Sequence, residues 1–198
     1  QALKDAVEKD CCHRAASVKE EIAFALQHED LAGIFGKLLE NGEVPLRVTH
    51  NDTKLNNIMI DLETAKGICV VDLDTVMPGL AMNDFGDAIR FGASTALEDE
   101  KDLSKVSCDM ELYEIYVKGF LESCGDKLNA REIEMLPMGA KVMTYECGIR
   151  FLTDYLEGDH YFKIDREDHN LDRCRTQFKL VADMEQKWEQ MQAIVKKY

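Results

Sequence analysis

The sequence predicts an α+β protein that is mostly helical, with one small β hairpin cluster set among the helices. Apolar residues recur at helical spacing toward both ends of the chain. The only convincing strands fall within residues 44–76, and strands and helices do not alternate as a doubly wound sheet requires. At 198 residues and 45% hydrophobic content the chain can bury a real core, and its length fits a single unit over 1–198.

The elements follow in order. From Ala2 to about Asn41, residues Val18, Ile22, Phe24, Ala25, Leu31, Ile34 and Leu38 fall three and four apart, which predicts two or three amphipathic helices over 1–43. The stretch "ENGEVP" ends them, with Gly42 as C-cap and Pro45 just beyond. "LRVTH" reads as a strand, and "NIMID" and "GICVVDLD" as two more, joined into a hairpin by "LETAKG". After "MPG" the helical part, residues 83–198, opens on "NDFGDAIRFG" with Asn83 as candidate N-cap. A helix over "DMELYEIYVKGFLESCG" follows. A long one from "NAREIE" to "DYLEG" is expected to kink at Pro137, and the last runs from "DHNLD" to "VKKY". No internal repeat, low-complexity segment or linker interrupts them.

Composition narrows the function. The net charge of −14 argues against nucleic-acid and anionic-membrane partners, because counterion release needs clustered Lys and Arg. No basic run exceeds the terminal Lys196-Lys197 pair. The seven cysteines (Cys11, Cys12, Cys69, Cys108, Cys124, Cys147, Cys174) form an odd set without C-x-x-C. They signal neither a zinc cage nor a disulfide framework, and they point to a reducing compartment. Cys11 and Cys12 are expected at ordinary helix positions, without a nucleophilic role. No apolar run approaches the ~20 residues that span a bilayer, and "QALKDAVEKD" is a charged helix rather than a cleavable signal. The expected location is cytoplasmic. The chain opens in helical sequence without a start methionine, which implies a piece of a longer polypeptide.

The chemistry concentrates in "HNDTKLNNIMI". His50, Asp52, Lys54 and Asn57 reproduce the H-x-D-x-K-x-x-N catalytic-loop pattern of kinase-like phosphotransferases. Phosphoryl transfer needs a carboxylate beside the attacking hydroxyl and, further along the loop, an oxygen that holds magnesium on the nucleotide phosphates. These are the roles of Asp52 and Asn57. Lys54 can place a positive charge near the transferred group. His50 braces the loop, since an aspartate already fills the base position. The bland alternative for this motif is a polar turn between strands.

A second metal ligand is expected at a strand end. Asp72 follows "GICVV" and comes fifteen residues after Asn57, about one hairpin's length. Asp84-Phe85-Gly86 spells the protein-kinase D-F-G, but it follows a Pro-Gly loop rather than a strand. Asp84 and Asp87 therefore read as helix N-terminal residues that tie the helix to the catalytic loop. Asp74 is either a further metal contact or a solvated loop acid. "VVDLDT" also opens a rival reading, a haloacid dehalogenase-type phosphatase with Asp72 as nucleophile. Of that enzyme's motifs only the first is present: no G-D-x-x-x-D follows Gly86, Gly125 or Gly158.

"RVTHNDTKLNNIMID" followed by "VVDLDTVMPGLAMNDFGDAIRFGA" resembles the aminoglycoside phosphotransferase and choline kinase superfamily, which has a protein-kinase-like fold. With "ECGIRFLTDYLEGDHYFKI" and "HNLDRCRTQFKLVADME" the resemblance is strongest to its N-acetylhexosamine 1-kinase branch. It implies ATP and Mg2+, with Asp52 deprotonating the anomeric hydroxyl of a hexosamine and Asn57 and Asp72 on the metal. It also implies Arg150 and Tyr161 on the sugar, with Trp188 stacking near that pocket. The residues alone offer plainer readings: an ion pair of Arg150 with Glu146, and core positions for Tyr161 and Trp188. No G-x-G-x-x-G or G-x-x-x-x-G-K-[ST] occurs and strands are few, so the resemblance extends to the C-terminal, catalytic lobe alone, with the N-terminal nucleotide lobe absent. A non-catalytic kinase-like binding module is the remaining alternative.

Overall fold

The computed structural model describes residues 1–198. Three short helices lead, α1 (Ala2–Lys9), α2 (Lys19–Gln27) and α3 (Ile34–Glu40). Each is too short to persist alone and is held by burying Leu3 and Ala6, Ala25, and Phe35 and Leu38. Helix α3 ends in a Schellman motif. Glu43 N–H donates to Leu38 O at 2.9 Å and Gly42 N–H to Leu39 O at 3.0 Å, with Gly42 at φ 71°. Cys11 and Cys12 lie in the turn after α1, not on a helix, because Asp10 at φ 38° ends it.

Two separate two-stranded antiparallel sheets follow. Strand β1 (Arg47–Thr49) pairs with β4 (Met77–Gly79), and β2 (Ile58–Ile60) pairs with β3 (Gly67–Val70). The β2–β3 hairpin is the expected one. Strand β4 is not: "MPG" reads as a loop because Pro78 cannot donate, yet a strand with a single neighbour tolerates proline. With only antiparallel pairs of strands, the doubly wound sheet that the phosphatase reading requires is not formed.

The rest is helical: α4 (Ala81–Gly92), α5 (Met110–Cys124), α6 (Ala130–Glu134), α7 (Leu136–Glu157), α8 (His169–Gln186) and α9 (Trp188–Lys197). Helix α7 is central, packing against α1, α4 and α8, and 13 of its 22 residues are buried. Three sequence expectations need correction. Asn83 lies inside α4, which starts two residues earlier with Leu80 at its cap. Pro137 does not kink a long helix but stands in the first turn of α7, where its missing N–H has no partner to lose. The last helix breaks at Lys187, whose Nζ is drawn to Ser107 Oγ at 2.6 Å, Cys108 O at 2.9 Å and Asp183 Oδ2 at 2.8 Å.

Helices α4 and α7 touch backbone to backbone. A Cβ on Gly86 would stand 2.2 Å from Gly139 O, and one on Gly139 2.2 Å from Met82 O, so glycine alone permits this approach. Phe85 beside it is fully buried and meets Tyr113 and Phe120 edge-on, at 6.1 and 5.2 Å between ring centroids. No helix is long and apolar enough to cross a membrane.

Candidate active site

Between β1 and β2 the chain forms a loop with little secondary structure, fixed from α4. Asp84 Oδ2 accepts from His50 N–H and Oδ1 from Asn51 N–H, both at 2.8 Å, while Thr53 Oγ1 donates to Asp84 O at 2.5 Å. Each letter of "DFG" thus has its own structural reason in this chain: a loop clamp, a core aromatic and a close helix crossing. The other side of the loop is tied to the segment after β3. His50 Nε2 donates to Val71 O at 3.0 Å, Thr75 Oγ1 to His50 O at 2.7 Å, and Asn51 Nδ2 to Thr75 O at 3.0 Å. The Nε2–H tautomer of His50 follows, since its buried Nδ1 has no partner and is best left as a lone pair.

Asp52 is asymmetric. Its Oδ2 accepts from Lys54 Nζ and Asn57 Nδ2, both at 2.8 Å, while Oδ1 accepts no hydrogen bond. Partial burial pushes its carboxyl up, but the hydrogen bonds from Lys54 and Asn57 outweigh this and hold it below the usual carboxylate range. Lys54 is raised, first by its hydrogen bond to Asp52. Asp52 is therefore ionised near neutrality, with one oxygen occupied and one able to accept a proton.

Asn57 is buried, and its amide nitrogen is spent on Asp52 Oδ2 and Asp52 O, both at 2.8 Å. That fixes its flip and leaves Oδ1 without a donor. Val71 N–H donates to Asn57 O at 2.9 Å, so the hairpin's pairing brings Asp72 alongside Asn57. Asp72 adopts φ 63°, ψ 56°, which costs a non-glycine residue of order 1 kcal/mol. Its exposed carboxylate has no hydrogen-bond partner, and neither has that of Asp74. No group of three or more His, Cys, Asp or Glu forms a self-sufficient metal cage. An amide oxygen and a free carboxylate nevertheless fit magnesium, which takes one or two protein ligands and completes its shell with phosphates and water.

Asp52 and Lys54 open on a cleft of about 620 Å³ that is also lined by Asn51, Thr75, Asp87, Arg90, Glu98, Arg150, Tyr161 and Arg173. Asn57, Asp72 and Asp74 stand outside that lining, on the hairpin side. Asp87 does not bond the loop; it pairs with Arg90, whose Nε and Nη2 both reach its Oδ1 at 3.0 Å. Arg90 continues to Glu98 Oε1 at 2.7 Å. This chain of alternating charge, buried at Asp87 and partly exposed at Glu98, was invisible in the sequence apart from the i,i+3 spacing of Asp87 and Arg90. Cys147 also lines the cleft, but burial pushes its thiol up to about 12, so it stays protonated.

Arg150 makes no ion pair with Glu146. Its Nη2 meets Tyr161 Oη at 3.3 Å, and its guanidinium lies 5.6 and 5.5 Å from the Tyr161 and Phe162 ring centroids. Tyr161 is 73% exposed, a cleft residue rather than a core aromatic. Trp188 is not in the cleft. The break at Lys187 makes it the first residue of α9, with its ring 5.5 Å from Lys141 Nζ, and neither Trp188 nor Lys141 lines the cleft.

A family model described as the phosphotransferase enzyme family (APH) matches residues 2–113. The match takes in the N-terminal helices, the catalytic loop, both small sheets and α4, and it covers more than half of the 198 residues. Such a family indicates a kinase-like phosphotransferase that takes ATP as co-substrate, in agreement with an ionised aspartate in a clamped loop at the head of a cleft. The chain belongs to the phosphotransferase enzyme family.

Proposed function

We propose that residues 1–198 are a single catalytic lobe of an ATP-dependent, magnesium-requiring kinase that phosphorylates a sugar hydroxyl, the anomeric hydroxyl of an N-acetylhexosamine. In this reading 1–43 buttress the lobe, 44–76 carry the catalytic loop and metal-binding hairpin, and 83–198 supply the acceptor side. A separate N-terminal lobe completes the nucleotide site. The observation that carries the proposal is Asp52, with Oδ2 held by Lys54 and Asn57 and Oδ1 free at the head of the cleft that Arg150 and Tyr161 also line.

Asp52 Oδ1 receives the proton of the attacking hydroxyl as its oxygen bonds to the γ-phosphorus of ATP and the bond from that phosphorus to the bridging oxygen breaks, releasing ADP. Lys54, fixed on Asp52, keeps a positive charge beside the transferred group. Asn57 Oδ1 and the Asp72 carboxylate would hold magnesium, which when bound neutralises charge on the nucleotide phosphates. Arg150 and Tyr161 bind the acceptor, the guanidinium donating to hydroxyl or amide oxygens and the exposed ring covering an apolar sugar face.

The test is ADP release by the full-length protein against N-acetylhexosamines, choline, homoserine and aminoglycosides, with Asp52→Asn as control. Turnover of an N-acetylhexosamine that is lost in the variant supports the reading. Equal activity in the variant removes Asp52 as base, and no turnover of any acceptor returns the chain to a kinase-like binding module.

A further inference from the structure

We propose that Asp154, a residue outside the cleft, is a positioning residue for the acceptor: it fixes the backbone of residues 158–163 so that Tyr161 is presented to Arg150, and it thereby sets acceptor affinity without touching the reacting atoms. The inference rests on reading the Arg150–Tyr161 side of the cleft as the acceptor site.

Asp154 is 5% exposed, and its carboxylate is fully occupied. Oδ1 accepts from His160 N–H at 3.0 Å and Tyr161 N–H at 2.8 Å, and Oδ2 from Phe162 N–H at 3.0 Å and Asn170 Nδ2 at 2.9 Å. All four donors are uncharged amides, three of them consecutive in the chain. Asn170 extends the brace to Asp159 Oδ1 at 2.9 Å, and Arg14 Nη1 closes it on Asp159 Oδ2 at 2.5 Å.

Two physical points make this more than a loop anchor. Asp154 stands in the last turn of α7, where the negative end of the helix dipole disfavours an anion, so the helix gains nothing from it. Tyr161 is too exposed to be located by its own packing. Three successive N–H groups converge on this one carboxylate, and the backbone that brings them there carries Tyr161 Oη to 3.3 Å from Arg150 Nη2 while Phe162 packs on Phe151, 4.6 Å between ring centroids. A binding side chain on a loop is only as well placed as the shell that holds the loop.

The test uses the full-length protein with N-acetylglucosamine and N-acetylgalactosamine as acceptor probes. Asp154→Asn exchanges one acceptor oxygen for a donor. It is expected to raise acceptor KM about tenfold while KM for ATP stays within about twofold, the signature of lost acceptor binding alone. Combined with Tyr161→Ala, its effect on acceptor KM is less than additive, because both act through the same ring. Should Asp154→Asn fold poorly, Asn170→Ala removes one donor from the same carboxylate and shifts acceptor KM in the same direction by a smaller factor. A lowered melting temperature with unmoved acceptor KM in these variants overturns the inference. If instead Tyr161→Ala itself leaves acceptor KM unmoved, or neither probe is turned over, the acceptor reading fails, and the two failures are distinguishable.

Discussion

The helices around α7 and the β2–β3 hairpin are built on opposite terms. In α7 more than half the residues are buried, and the crossing with α4 is so close that two glycines meet. In the hairpin no strand residue is buried: Met59 is 54% and Ile68 63% exposed. The catalytic loop is held to the helices chiefly by Asp84, which accepts from His50 and Asn51 N–H, and to the segment after the hairpin by bonds of His50, Asn51 and Thr75. Arg47 adds a two-pronged bond from β1 to the buried Glu132 on α6, at 3.0 and 2.7 Å. Stability and chemistry therefore live in different parts of the molecule, and Asp84 is the joint between them.

The comparison can be broken from the stability side. Gly86→Val puts side-chain atoms into the Gly139 backbone, and urea denaturation is expected to show a loss of about 3 kcal/mol or more, at the upper end of overpacking effects. Asp84→Ala tests the joint. It strips two backbone N–H groups of a charged acceptor, with an expected loss of about 2–3 kcal/mol in the same assay together with disordering of residues 50–53 by amide exchange. A variant that keeps both stability and protection at His50 and Asn51 would show that the loop is held by something else.

Smaller effects sharpen the contrast. Because Asp52 has a lowered carboxyl in the folded state, its contribution is present above about pH 4 and is lost as pH falls through its folded value. Lys54 is the mirror case, contributing below its ordinary value of 10.5 and losing that contribution at higher pH. Stability measured against pH in Asp52→Asn is expected to lose the acid-side part of this dependence. Smallest of all, Ile68→Thr on the exposed hairpin face is expected to move stability by less than about 0.5 kcal/mol. A large loss there would mean that the hairpin shares the helical core after all.

The same contrast explains what the sequence revealed. Helices buried on one face write their period into the chain, and "NIMID" and "GICVV" stand out as apolar runs around a turn. Strand β4 was hidden because Pro78 argues against a strand, and the α8–α9 break because Lys187 is neither Gly nor Pro and is drawn out of the helix by partners 79 and 80 residues away. In the site, the spacing from His50 to Asn57 was legible because one short loop carries it. Arg90, Glu98 and Asp154 were not, because their partners or roles depend on how α4, α7 and the loops beside them pack. Trp188 shows the converse: an aromatic placed near the site by resemblance lies on α9, against Lys141 of α7 and outside the cleft.

The central claim is that the hairpin region carries the chemistry and the helices the stability. The most direct measurement pairs kcat with thermal unfolding for Asp52→Asn in the full-length protein. The account predicts that kcat falls at least about a hundredfold, the scale of a lost general base, while the melting temperature moves by only a few degrees. Full activity in that variant, or its collapse into an unfolded chain, would contradict it.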